Sequence, residues 1–206
     1  MNDLRGKFIV FDGPDGCGKS TQTRLLGKAL EQRGLLTLLV RDPGTTRIGE
    51  QIRSILLDPD HREMGMRCEM LLYMAARAQM MTQTIAPALA QQKVVISDRF
   101  VSSTLAYQLG GEGLSAAEIR AAAEIAIQGR WPDLIIILDI SPEKSFERMP
   151  RDKDRIEQRP LAYHQQVHRH YLEQAKNDPS YRVVSADQGI DAVHQQVMEI
   201  VLQEKS

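Results

Sequence analysis

Residues 13–20 read Gly-Pro-Asp-Gly-Cys-Gly-Lys-Ser, and no other stretch narrows the choice of fold as far. They fit G-x-x-x-x-G-K-S/T, the spacing of a phosphate-binding loop. They follow the apolar run Phe8-Ile9-Val10-Phe11 and precede a segment of helical periodicity, the context this pattern requires. Gly13, Gly16 and Gly18 let the backbone take positive φ and approach an anion closely, with Pro14, Asp15 and Cys17 between them. Successive amide N–H groups and the positive end of the next helix then face one concavity. In such a loop Lys19 reaches the β- and γ-phosphates, Ser20 holds magnesium through its hydroxyl, and Thr21 carries the chain into the helix. The competing reading is a glycine-rich turn beside an unrelated lysine, and the strand before and helix after weigh against it.

The 206 residues suffice for one good core, so a single domain over 1–206 is expected, with room for a small mobile insertion. A formal net charge of -1 provides no basic field for a nucleic-acid backbone, so any nucleotide partner should be small. The amino terminus runs straight into a strand and no apolar run approaches membrane-spanning length, which points to a cytoplasmic protein without a membrane partner. Two cysteines, Cys17 and Cys68, suit a reduced compartment and form no ligand pattern.

Consecutive apolar residues in the first strand are the mark of a strand covered on both faces, hence of a parallel sheet. Residues 35–40, 93–97 and 134–138 read as three more buried strands, and 181–185 as a short fifth. Between them, Leu25, Leu26, Ala29 and Leu30 mark one helix, and Ile48, Ile52, Ile55 and Leu56 a shorter one. A long helix is expected over residues 67–91, with Pro87 placed to bend it. Ser115 and Glu118 form a capping box opening an alanine-rich helix, and Ile190, Val193, Val197, Ile200 and Val201 stripe the last one. The fold class is therefore α/β: a five-stranded parallel sheet with helices on both faces and ligands at the carboxyl edge of its strands.

That edge is where the chemistry-bearing residues fall. Arg41-Asp42-Pro43-Gly44 turns at the end of the second strand, and Asp98-Arg99-Phe100 leaves the end of the third. A charged pair emerging from Val94-Val95-Ile96 needs an answer: magnesium for Asp98 and a phosphate for Arg99, or a mutual surface ion pair. Tyr73 and Arg77, four apart, project from one helix face. An aromatic plate beside a guanidinium suits a flat heterocycle with acceptor oxygens, though the spacing serves a core aromatic and a snorkelled arginine equally well. Arg148, Arg151, Lys153, Arg155 and Arg159 crowd a segment broken by Pro150. They form either a solvated face or a short lid, about 148–157, that brings arginines onto a transferring phosphoryl group.

These blocks, with Tyr73-Met74-Ala75-Ala76-Arg77-Ala78-Gln79 and Ser103-Thr104-Leu105-Ala106-Tyr107-Gln108, resemble the bacterial thymidylate kinases, nucleoside monophosphate kinases of the P-loop NTPase fold. The likeness runs from about residue 7 to 201. It implies transfer of the γ-phosphoryl group of ATP to dTMP with Mg2+, in a homodimer. It implies that Tyr73 stacks on the base and Arg77 bonds its edge, with Thr104 and Gln108 lining the pocket. Tyr107 lies against the deoxyribose, Arg99 holds the acceptor phosphate, and Asp15 and Asp98 stand near that phosphate and the metal. Arg41 and Ser103 belong to the substrate-binding set. The loop lacks an arginine, which resembles the subtype whose transition-state arginine comes from the lid; Arg151 is expected in that role, with Arg148 and Arg155 assisting. Asp12 departs from the common glutamate and Glu112 from the usual arginine of a glycine turn. Cys17 stands where alanine is frequent, either filling space or activated by the loop amides. Two rivals are a kinase for another nucleotide or nucleoside and a GTP-dependent switch; no N-K-x-D guanine-reading motif supports the latter.

Overall fold

A computed structural model describes residues 4–148 and 153–203. Five strands, β1 (Phe8–Asp12), β2 (Thr37–Arg41), β3 (Val94–Asp98), β4 (Leu134–Asp139) and β5 (Tyr181–Ser185), form one sheet in the order β2-β3-β1-β4-β5. Every neighbouring pair is parallel. The helices are α1 (Lys19–Glu31), α2 (Arg47–Leu57), α3 (Met66–Met80), α4 (Ala86–Ala90), α5 (Val101–Tyr107), α6 (Ala116–Ile127), α7 (Pro142–Arg148), α8 (Leu161–Asn177) and α9 (Ile190–Gln203).

Because side chains alternate along a strand, β1 feeds two cores at once. Phe8 and Val10 join one cluster with Val95, Ile135 and Ile137, while Ile9 and Phe11 join the other with Ile96, Leu134 and Ile136. Phe8 and Phe11 are fully buried; each contributes roughly 2–3 kcal/mol of transfer free energy, which fixes β1 at the centre of the sheet. The second strand differs from expectation: it begins at Thr37 rather than Leu35 and forms the sheet edge, with Leu39 exposed.

The long helix expected over 67–91 is interrupted. α3 passes through a wide π turn, Met81–Ile85, where the Ala86 N–H reaches Met81 O, before α4 begins. Pro87 has no N–H to give and its ring crowds the carbonyl four residues back, so a wide turn just before it accommodates both. The capping box of α6 forms as expected, Ser115 and Glu118 satisfying each other's backbone donors. Glu112 in the glycine turn has a structural use: its carboxylate accepts from Met66 N at 2.9 Å, capping the free amides that open α3. β1 and β3 are neighbours, with Phe11 opposite Asp98, so the loop after β1 and the Asp98-Arg99 pair open onto the same carboxyl edge.

Candidate active site

The loop between β1 and α1 is built for close approach. A Cβ on Gly13 (φ 131°) would sit 2.5 Å from Leu138 O of β4, so only glycine fits there. Gly18 (φ 96°) is the N-cap of α1, and a Cβ on it would meet nothing within 4 Å. α1 has neither a side-chain cap nor an acid in its first turn, so its amides and dipole face an open cleft of about 820 Å3. Asp15, Gly16, Lys19, Ser20, Thr21 and Arg41 line that cleft. Lys19 Nζ spans the loop, donating to Pro14 O at 2.7 Å and Gly13 O at 3.1 Å. Ser20 Oγ donates to Asp98 Oδ2 at 2.5 Å, bringing together two hard oxygen donors of the kind magnesium takes alongside phosphate oxygens. Cys17 is buried, and burial pushes its thiol up despite Lys19 nearby, so it fills space and is not activated.

Arg99 is the hub of the site. Its φ of 70° is unusual for a residue with a Cβ and turns the side chain back over the loop. Its guanidinium donates to Asp12, Gly13 O, Ser103 and Tyr171 at 3.0–3.3 Å, to Asp15, and more loosely to Tyr107. Asp12 is fully buried and also accepts from Ser102, Ser103 and Tyr171 at 2.6–2.7 Å. Burial keeps the Tyr107 and Tyr171 hydroxyls protonated far above the ordinary phenol range, so both remain donors. Burial alone would raise Asp15, but the charges of Arg99 and Lys19, with hydrogen bonds from Tyr107 and Arg99, hold it down to about 2.

A carboxyl depressed in the folded state stabilises fully above its unfolded pKa and loses that contribution as pH falls through the folded one. The stability advantage of the wild type over Asp15→Asn should therefore be steady above pH 4 and shrink by about 2 kcal/mol towards pH 2. Chemical denaturation across that range measures it.

A second cleft of about 520 Å3 abuts the first. Tyr73 and Arg77 of α3 form one wall, and Thr104, Tyr107 and Gln108 of α5 and its carboxyl end form another. Arg77 is buried rather than snorkelled. It donates through Nε to Asp42 Oδ2 at 2.6 Å, to Phe100 O at 3.0 Å and to Thr104 Oγ1 at 3.3 Å. Burial lifts the Asp42 carboxyl above its ordinary range even with Arg77 beside it, and its Oδ1 is buried with no partner among the described residues. Asp15, Asp42, Arg53 and Arg99 line both clefts, so the two volumes meet over a mixed-charge seam.

Most of the residues singled out from the sequence line these two clefts; in the basic segment the guanidiniums of Arg148 and Arg155 are held by partners elsewhere. Arg148 lies beside the phosphate loop, its Cβ 3.3 Å from where a Cβ on Gly16 would sit, but its guanidinium donates to Ala186 O at 3.1 Å and lies 3.9 Å from Asp187, an acid that draws it towards the turn after β5. Arg151 lies outside the described residues. Arg155 is buried against Leu56 O and Glu69, between Asp154 and Ile156, which line the second cleft. Arg53 and Tyr171 were not legible as site residues, being single polar residues on helices with no motif around them, and Asp154 stood inside the basic segment without a role of its own. Asp42 stood inside a recognised block, but only its position beneath Arg77 reveals its part.

An amide cradle for polyphosphate abutting a cleft that presents an aromatic face and a buried guanidinium, all on the carboxyl edge of a five-stranded parallel sheet, defines a P-loop kinase of small nucleotides. Comparison with known proteins specifies which. The family model described as thymidylate kinase matches residues 11–197. A thymidylate kinase of Pelotomaculum thermopropionicum is 44% identical over 200 residues, covering 95% of this chain and 93% of its own. One from Roseiflexus sp. is 42% identical, covering 94% and 92%, and one from Exiguobacterium sp. is 41% identical, covering 97% and 96%. The chain belongs to the thymidylate kinase family, nucleoside monophosphate kinases that draw the phosphoryl group from ATP. No helix among the described residues is long and apolar enough to cross a membrane.

Proposed function

We propose that this chain transfers the γ-phosphoryl group of ATP to dTMP, giving ADP and dTDP for dTTP synthesis. The observation that carries this reading is the shared wall of the two clefts: Asp15, Asp42, Arg53 and Arg99 border both. Two nucleotides can therefore meet end to end with their phosphates over one set of side chains. Phosphoryl transfer needs little covalent help, so positioning and charge neutralisation carry it. The loop amides of 13–18 and Lys19 hold the donor phosphates, and Thr21 and Arg41 border them. Ser20 and Asp98 are the residues to hold Mg2+, which when bound neutralises charge between the phosphates. Arg99 takes the acceptor phosphate, with Asp15 and Ser103 beside it. Tyr73 stacks on thymine, Arg77, Thr104 and Gln108 meet its edge, and Tyr107 packs on the deoxyribose.

The whole chain acts as one domain with its lid at about 148–157. A cytoplasmic homodimer with no nucleic-acid partner is supported by the family likeness. Arg151 supplies the transition-state charge, so Arg151→Ala should lower kcat about a thousandfold with far less effect on dTMP affinity. Steady-state kinetics alongside calorimetric binding separates the two, and unchanged turnover removes Arg151 from this role. The acceptor itself is tested by ADP formation with dTMP, dUMP, dCMP, AMP and thymidine at equal concentration. Preference for dTMP supports the reading; preference for thymidine, or hydrolysis indifferent to all five, refutes it.

A further inference from the structure

The face of α3 that carries Tyr73 and Arg77 extends one turn further back to Glu69, a carboxylate with no solvent exposure. Glu69 Oε1 accepts from Gln108 Nε2 at 2.8 Å, and Oε2 accepts from Arg155 at 2.5 Å and Arg159 at 2.7 Å. Both arginines are held in turn. Arg155 Nε donates to Leu56 O at 2.8 Å, and Arg159 donates to the Tyr163 hydroxyl at 2.6 Å, which itself donates to Tyr107 O at 2.7 Å.

A carboxylate between two guanidiniums only accepts, so Gln108 must turn its NH2 group towards it. The amide oxygen is then the end left over. No donor among the described residues reaches it, it is not among their buried unpartnered atoms, and Gln108 lines the acceptor cleft.

We infer that Glu69 is a specificity-determining positioning residue: pinned by Arg155 and Arg159, it locks the Gln108 amide with its oxygen towards the cleft, so that the site reads a ring N–H. The inference rests on the acceptor reading above. Thymine carries hydrogen on its N3, whereas cytosine presents a bare N3 lone pair that an amide oxygen repels. Discrimination between the two bases is thus set by a residue one step removed from the ligand, and the link through Arg155 joins that choice to the carboxyl-terminal part of the lid.

The test compares dTMP with 5-methyl-dCMP, which keeps the methyl group and differs only along the base edge. In Glu69→Gln the new amide turns its oxygen to the arginines and its NH2 to Gln108, which flips and offers NH2 to the cleft. The ratio of kcat/KM for dTMP over 5-methyl-dCMP should fall about a hundredfold, mostly through KM. In a Gln108→Leu background the same change should leave the ratio where Gln108→Leu alone puts it. Equal losses for both substrates, or a further drop in the double variant, would reduce Glu69 to a packing role and overturn the inference. Should Glu69→Gln not fold, Glu69→Asp keeps the charge for the arginines but withdraws from Gln108. Its ratio should fall at least threefold, and an unchanged ratio overturns the inference equally. A wild type that neither binds nor phosphorylates dTMP defeats the proposed function and this inference together; normal dTMP turnover with an unmoved ratio defeats the inference alone.

Discussion

Replacing Arg99 by methionine is expected to lower kcat/KM for dTMP by about a thousandfold, the scale on which one phosphate-directed arginine acts in phosphoryl transfer. The side chain is the common partner of Asp12 and Asp15 and the bridge between the phosphate loop and α5. Its removal leaves the fully buried Asp12 without its cation, and breaking such a pair costs about 3–5 kcal/mol. For a chain of this length that is a fall in Tm of about 10 °C. Activity is therefore to be measured well below the transition of the variant, with the folded fraction checked by circular dichroism. Arg99→Lys separates charge from geometry. A point charge restores the ion pair with Asp12 but cannot reach Ser103, Tyr171, Asp15 and a phosphate at once. Recovery of most of the stability with little of the turnover is the expected pattern; full activity in either variant would show that the acceptor phosphate is held elsewhere.

Arg77→Met should raise KM for dTMP about tenfold to a hundredfold, the worth of a hydrogen bond from a charged donor, and cost about 3 kcal/mol of stability at neutral pH. Methionine replaces much of the volume, so the loss is electrostatic: Asp42 stays buried beneath the site with nothing to balance it. Burial already lifts its carboxyl above the ordinary range, and without Arg77 the shift grows. A group whose pKa is raised on folding favours the folded state below its unfolded pKa and loses that benefit as pH rises. The deficit of Arg77→Met relative to wild type should accordingly be smallest near pH 4 and widen towards pH 7. Asp42→Asn combined with Arg77→Met removes the buried acid and should flatten that dependence. A deficit independent of pH in the single variant would mean that Asp42 does not carry the cost.

The parts of the site that can be read from the sequence are the parts that are local. The spacing of glycines from 13 to 18, with Lys19 and Ser20 behind them, specifies backbone conformation over a few residues, and the strand before and helix after are each marked by their own periodicity. Tyr73 and Arg77 share a face because helical geometry puts residues four apart together. The same logic fails for the basic segment. A run of arginines announces charge without direction, and two of the described guanidiniums turned to whichever acid or carbonyl the fold left beside them: Arg148 to Ala186 O, Arg155 to Glu69. Glu112 likewise reads as a substitution in a turn, and its use as a cap appears only once α3 begins next to it.

By itself the sequence determined a parallel sheet, a glycine-rich loop of phosphate-binding pattern at its carboxyl edge and a helix face shared by Tyr73 and Arg77, because each rests on contacts between near neighbours along the chain. Only the tertiary structure decided that Asp42 underlies Arg77, that Asp12 and Asp15 share Arg99, and that Glu69 faces Gln108 across 39 positions. Those pairings join charged groups on separate elements. Burying an ion is tolerable only where a partner arrives from elsewhere in the chain, and which partner arrives is set by how the helices pack on the sheet.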